Sequence, residues 1–136
     1  MLEWRSAMNL LIVDDEYLVV EEVVTVTDWE LLGITEIYSA TNAVSAVRIL
    51  NEKKIDIMIC DIEMPQTDGL ELSKKAKENF PDLEIVMLTS HAEFNYVRNA
   101  LRYGCYDYLL KPVMEDDIIK VMKNLVTKIE RERHQA

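Results

Sequence analysis

The sequence is short of cysteine, of positive charge and of long apolar runs. Its two cysteines, Cys60 and Cys105, are far apart and without metal-ligand spacing, and both lie in or beside apolar runs. They read as buried free thiols, so neither a disulfide framework nor a zinc site is expected. Fifteen Lys and Arg face 25 Asp and Glu, a formal charge of −10, which repels a phosphate backbone and argues against direct nucleic-acid binding by this chain. No apolar run approaches the roughly 18 residues that a spanning helix needs, and residues 1–7 lack the apolar segment of a signal peptide. No membrane association is expected, and a soluble cytoplasmic protein is.

What is present suits one domain: 136 residues, of which 49% are hydrophobic, suffice for a sizeable core, and two domains would be crowded. There is no internal repeat, low-complexity segment or interdomain linker. Residues 1–7 show no periodicity and read as an N-terminal extension or expression remnant, residues 8–130 as the domain, and 131–136 as a charged tail or the start of a linker. Asn9 to Val13 is a buried strand ending at Asp14-Asp15-Glu16, followed by Leu18, Val19, Glu22, Val23 and Val26 at helical spacing. Gly33 ends the linking segment, Ile34 to Tyr38 is a short strand, and Asn42 caps a helix with Ala43, Ala46, Val47 and Leu50 on one face.

Ile55 to Ile59 reads as a strand covered on both faces, with Asp61 at its carboxyl end. Pro65 biases Met64 away from helical angles, so Glu63 to Gly69 is expected to be loop, with a helix from Gly69 to Phe80. Leu83 to Leu88 and Tyr106 to Leu110 are the last strands. Phe94, Val97, Ala100 and Leu101 outline a helix ending at Gly104. Ile118 to Ile129 form an amphipathic helix whose charged end, Glu130-Arg131-Glu132-Arg133, reads as a solvated terminus. Strands alternating with helices about five times imply a doubly wound α/β fold, a parallel sheet with helices on both faces.

Four strands end in polar residues: Asp14-Asp15, Asp61, Thr89-Ser90 and Lys111. In a parallel sheet these ends share one rim, where ligands bind. Taken singly, the acids and Thr89 are ordinary helix caps or turns and Lys111 a solvated charge. Independent caps give no reason for two acids, one acid, a hydroxyl and a lysine to end successive strands in that order. Three carboxylates together repel unless a divalent cation lies between them, and magnesium, with hard oxygen ligands, commonly bridges carboxylates to a phosphate. Asp61 could then attack phosphorus to give an acyl phosphate, with Lys111 neutralising oxygens and Thr89 donating a hydrogen bond.

Val13-Asp14-Asp15-Glu16, Cys60-Asp61-Ile62-Glu63-Met64-Pro65 with Asp68-Gly69, Leu88-Thr89-Ser90, and Tyr108-Leu109-Leu110-Lys111-Pro112 together resemble the receiver domain of bacterial two-component response regulators, over about Met8 to Lys128. The resemblance implies a flavodoxin-like (βα)5 fold with strand order 2-1-3-4-5. It implies that Asp61 accepts phosphate from a sensor histidine kinase, that Asp14 and Asp15 hold magnesium with Asp61, and that the Glu63 backbone carbonyl completes the protein's share of the metal shell. It makes Thr89 and Tyr108 a switch pair acting on the last two helices, with phosphorylation-dependent homodimerisation as an outcome, and sets Lys111 on the phosphoryl group. Glu63 and His91, which depart from common family wording as Cys60 and Gln66 do, would tune the lifetime of the phosphorylated state. Phe94 to Leu101 and Asp107 to Pro112 look most like regulators carrying an AraC-type DNA-binding output domain. On that reading the chain is an isolated receiver or a fragment of a longer regulator of transcription, and it catalyses only its own phosphorylation and dephosphorylation.

The alternative is an aspartyl-phosphate phosphatase, since Asp61-Ile62-Glu63 superficially has a nucleophile followed by an acid two residues on. Such enzymes usually place the nucleophile on an early strand and need a cap, for which little sequence remains. A flavin-binding electron carrier shares the fold class but wants a phosphate-cradling run of Ser, Thr and Gly after the first strand, which is not present. An exposed loop position is the ordinary reading of His91, packing that of Tyr96, Tyr103 and Tyr106, and tail that of His134.

Overall fold

Strict alternation within strands sends successive apolar side chains to opposite faces of one sheet. The structure, a computed structural model, describes residues 7–65, 67–90, 98–99 and 101–135. Its main sheet contains β1 (Met8–Val13), β2 (Ile34–Ala40), β3 (Ile57–Asp61), β4 (Glu84–Thr89) and β5 (Asp107–Leu110). All neighbours are parallel, in the order 2-1-3-4-5. Leu10 and Ile12, Ile57 and Ile59, and Val86 and Leu88 fill one core with α1 (Tyr17–Thr25) and the last helix, α4 (Glu115–Gln135). Leu11 and Val13, Met58 and Cys60, and Ile85 and Met87 fill the other, with α2 (Ala43–Glu52) and α3 (Gly69–Asn79). Each fully buried Ile, Leu or Met contributes about 1.5–3 kcal/mol relative to exposure. Both cysteines are free and buried in the second core.

Local chemistry sets the helix ends. Asn42 Oδ1 accepts from Ser45 N–H at 2.8 Å to start α2, and Asp68 Oδ1 accepts from Leu70 N–H at 2.9 Å to start α3, each satisfying an otherwise orphaned donor. Gly33 closes a short 3-10 turn, Glu30–Leu32, with φ of 93°, a left-handed conformation that a side chain would strain. Beyond β4 the chain is helical at residues 98–99 and 101–102.

Four expectations need correction. Leu18 is 70% exposed, because Val20 and Val23 form the buried stripe of α1 and Leu18 lies about 200° around the helix from Val20. Val47 likewise faces outward while Ala46 and Leu50 are buried. The segment after β3 is not all loop: Glu63–Met64 and Thr67–Asp68 pair as a two-residue antiparallel ladder, and Gly69 already belongs to α3. The charged end of α4 is not simply solvated, since Glu130 is buried and Arg133 is paired with Asp56. Residues 1–6, Gln66, His91, Phe94, Tyr96, Val97 and Ala100 lie outside the described residues. Among the described residues no helix is long and apolar enough to cross a membrane.

Candidate functional site

Register brings the polar residues to one rim. Val13 pairs with Cys60, Asp61 with Leu88, and Thr89 with Leu110, so the residues that end β3 and β4 and those that follow β1 and β5 lie along the same edge. The loops stay joined there: Ile62 N–H donates to the Leu88 carbonyl at 2.9 Å and Lys111 N–H to the Thr89 carbonyl at 2.8 Å. Asp14 and Asp61 are buried, as is Thr89, while Asp15 is exposed.

The carboxylates of Asp14, Asp15 and Asp61 each offer an oxygen within 4.8 Å of the others. Lys111 Nζ lies 2.8 Å from Asp14 Oδ2 and 3.4 Å from Asp61 Oδ1. Backbone donors hold the acids in place, Glu16 N–H to Asp14 Oδ1 at 2.9 Å and Glu63 N–H to Asp61 Oδ1 at 3.2 Å. Burial pushes the Asp61 carboxyl up to about 6 from 3.8, helped by the charge of Asp14 and opposed by Lys111 and the Glu63 N–H. For Lys111, burial works against the ammonium, but its contact with Asp14 and the attraction of both acids outweigh it and raise the pKa.

The set suits a hard divalent cation. Three carboxylates against one ammonium leave two negative charges, the charge that such a cation balances. Lys111 alone answers the buried Asp14 Oδ2 among the contacts given above, and its single charge cannot balance all three acids.

The three described tyrosines singled out above sit differently. Tyr108 is 37% exposed on β5, on the same sheet face as Thr89, since their register partners alternate with the pleat. Tyr103 is exposed and accepts Lys74 Nζ 5.5 Å from its ring centre, whereas Tyr106 packs on the α1 and α4 core. The importance of Gly69 was not visible in the motif alone: a Cβ there would fall 1.9 Å from the Asp61 carbonyl oxygen. Asp68, which caps α3, is thus followed by the one residue that lets the helix start against the Asp61 backbone.

The model of the response regulator receiver domain family matches residues 10–123. An uncharacterised transcriptional regulatory protein of Bacillus subtilis, YesN, is 34% identical over 91% of this chain and 34% of its own length. The receiver domain of AraT, a response regulator from Geobacillus stearothermophilus, superposes with a TM-score of 0.87 at 30% identity, covering 94% of this chain and 99% of that one. A two-component transcriptional regulator AraC from Clostridium phytofermentans gives 0.85 at 25% identity, covering 96% and 99%. The chain spans about a third to a half of the length of the first curated relatives it matches. With its five parallel strands and the acid cluster on their carboxyl rim, the chain belongs to the receiver domain family of response regulators.

Proposed function

We propose that this receiver accepts a phosphoryl group on Asp61 from the phosphohistidine of a sensor kinase, with magnesium held by Asp14, Asp15, Asp61 and the Glu63 carbonyl. The observation that carries this reading is the placement of Asp61, buried at the end of the central strand beside two acids and within 3.4 Å of Lys111. An Asp61 carboxylate oxygen forms the new O–P bond as the N–P bond of the donor imidazole breaks, leaving the imidazole with the electron pair. A pKa near 6 leaves Asp61 mostly ionised at neutral pH, as a nucleophile must be. When bound, magnesium supplies positive charge to the phosphoryl oxygens. Lys111 moves from Asp14 and Asp61 towards those oxygens, and Thr89 donates its hydroxyl to one of them.

Tyr108 then turns into the space that Thr89 leaves, changing the surface formed by the last two helices, and self-association through that surface is the output of the domain. The equilibrium shifts by as much as phosphate prefers one arrangement over the other. Glu63 and His91 set how long the acyl phosphate survives, by orienting or blocking water. In the cytoplasm, residues 8–130 act as one unit controlling an AraC-type output domain. The domain turns over no external substrate, and the comparisons lend no support to the phosphatase alternative.

Metal binding is tested by stability. Magnesium at a hundred times its dissociation constant should stabilise the folded chain by about 2.7 kcal/mol, and Asp14→Asn or Asp15→Asn should lose most of that gain. An unchanged magnesium response in both variants would remove the two acids from the metal site. The output is tested by sedimentation with and without a fluoroberyllate phosphate mimic. An identical mass distribution would rule out self-association of this chain as the readout.

A further inference from the structure

The sheet edge opposite the acid cluster carries a second set of buried charges. Asp56, immediately before β3, and Glu84, which opens β4, are both buried, and the Glu84 N–H donates to the Asp56 carbonyl at 3.0 Å. Each carboxylate is answered by the last turns of α4. Asp56 Oδ1 takes Arg133 Nη2, and Asp56 Oδ2 accepts from Asn9 N–H at 2.7 Å. Glu84 Oε2 takes Lys128 Nζ, while Lys77 of α3 lies 3.5 Å from Glu84 Oε1 and donates to the Leu83 carbonyl at 2.6 Å.

The geometry of α4 gives these pairs a task. At 21 residues the helix is about 32 Å long, whereas the five or six residues of β3 and β4 reach about 20 Å at most. The helix therefore overruns the sheet. Ile129 is its last buried apolar residue, and beyond that point charge replaces apolar contact as the hold on the domain. Lys128 and Arg133 stand on either side of it. The same strand, β3, thus ties the C-terminal part of the chain at both ends, through Asp61 to Lys111 at the carboxyl rim and, just before the strand begins, through Asp56 to Arg133.

We infer that Asp56 and Glu84 form, with Arg133 and Lys128, an ionic latch that holds residues 128–135 of α4 on the sheet edge remote from the acid cluster. The latch gives the end of α4 a fixed direction that apolar packing alone would leave free. Its carboxylates are buried while its cations are partly exposed, 42% for the Lys128 side chain and 30% for Arg133. Removing the cations therefore frees the helix end and strands buried negative charge.

Amide hydrogen exchange of the whole chain tests this. In Lys128→Gln/Arg133→Gln, exchange at residues 128–135 should quicken by about tenfold or more, a loss discounted for partial exposure of the pairs, and by more than in β1, β3 and β4, where the stranded carboxylates cost the whole fold some protection. A second variant, Asp56→Asn/Arg133→Gln, removes both partners of one pair and so leaves no stranded charge; it should still show faster exchange confined to the helix end. Unchanged exchange at 128–135 in both variants, or an equal rise throughout the sheet in the second, would overturn the latch.

Discussion

In metal-free solution at neutral pH, Asp61→Asn should unfold at a higher urea concentration than the wild type, by about 1–3 kcal/mol of stability. The cause is the burial of an acid beside Asp14, which lifts its folded pKa to about 6 from 3.8. Between those values the folded chain binds more protons than the unfolded one, so the contribution of Asp61 to stability falls as pH rises through the window from about 4 to 6. The amide carries no charge to bury and keeps an oxygen for the Glu63 N–H, so the variant escapes this loss. Its advantage should be full above about pH 7 and vanish below about pH 4, where the wild-type carboxyl is neutral in both states. A chelator is needed, because bound magnesium would offset the same repulsion. Equal urea midpoints at pH 7.5, or an advantage that does not shrink on acidification, would show that Asp61 is not held against its charge.

Gly69→Ala should have the opposite effect, and a large one. The added Cβ would sit 1.9 Å from the Asp61 carbonyl oxygen and 2.9 Å from Asp61 C and Ile62 Cα, all backbone atoms that cannot swing aside as a side chain can. Gly69 N–H also donates to the Ile62 carbonyl at 3.0 Å, so α3 cannot retreat without breaking the bond that closes the loop. Relief must come from shifting the segment that carries Asp61, at a cost of about 2–4 kcal/mol. A misplacement of about 1 Å at a reacting group can cost roughly a hundredfold in rate, so phosphoryl uptake should fall more steeply than stability. Urea unfolding and uptake measured on the same preparation check both; a variant within about 0.5 kcal/mol of the wild type, the range of ordinary surface substitutions, would mean that the close approach is absent in solution.

The strands were legible because the short apolar runs along Asn9 to Val13, Ile57 to Cys60 and Ile85 to Leu88 are local signals, and the rim followed from them, since parallel strands must end together. Asn42 was legible as a cap for the same local reason. What escaped depends on distance. Arg133 reads as a solvated charge until its partner Asp56, 77 residues earlier, is known, and Lys128 meets Glu84 across 44 residues. The hindrance at Gly69 arises from where β3 ends relative to α3, which no spacing within the Asp68-Gly69 pair records. The ladder of Glu63–Met64 with Thr67–Asp68 is too short to carry a periodicity, and Pro65 within it argues for a loop. Leu18 misleads because the start of α1 is apolar around most of its circumference, Tyr17 and Leu18 outside and Val20 and Val23 inside.

On the proposed reading, Asp61 takes up one phosphoryl group with the help of the surrounding acids and Lys111. The most direct measurement is the intact mass of the chain after incubation with magnesium and a small acyl phosphate donor. The wild type should gain a single phosphoryl mass, lose the ability to do so in chelator, and release inorganic phosphate slowly without turning over a generic phosphate ester. Asp61→Asn should gain nothing. An added phosphoryl group on Asp61→Asn, or undiminished uptake by the wild type in chelator, would contradict the account.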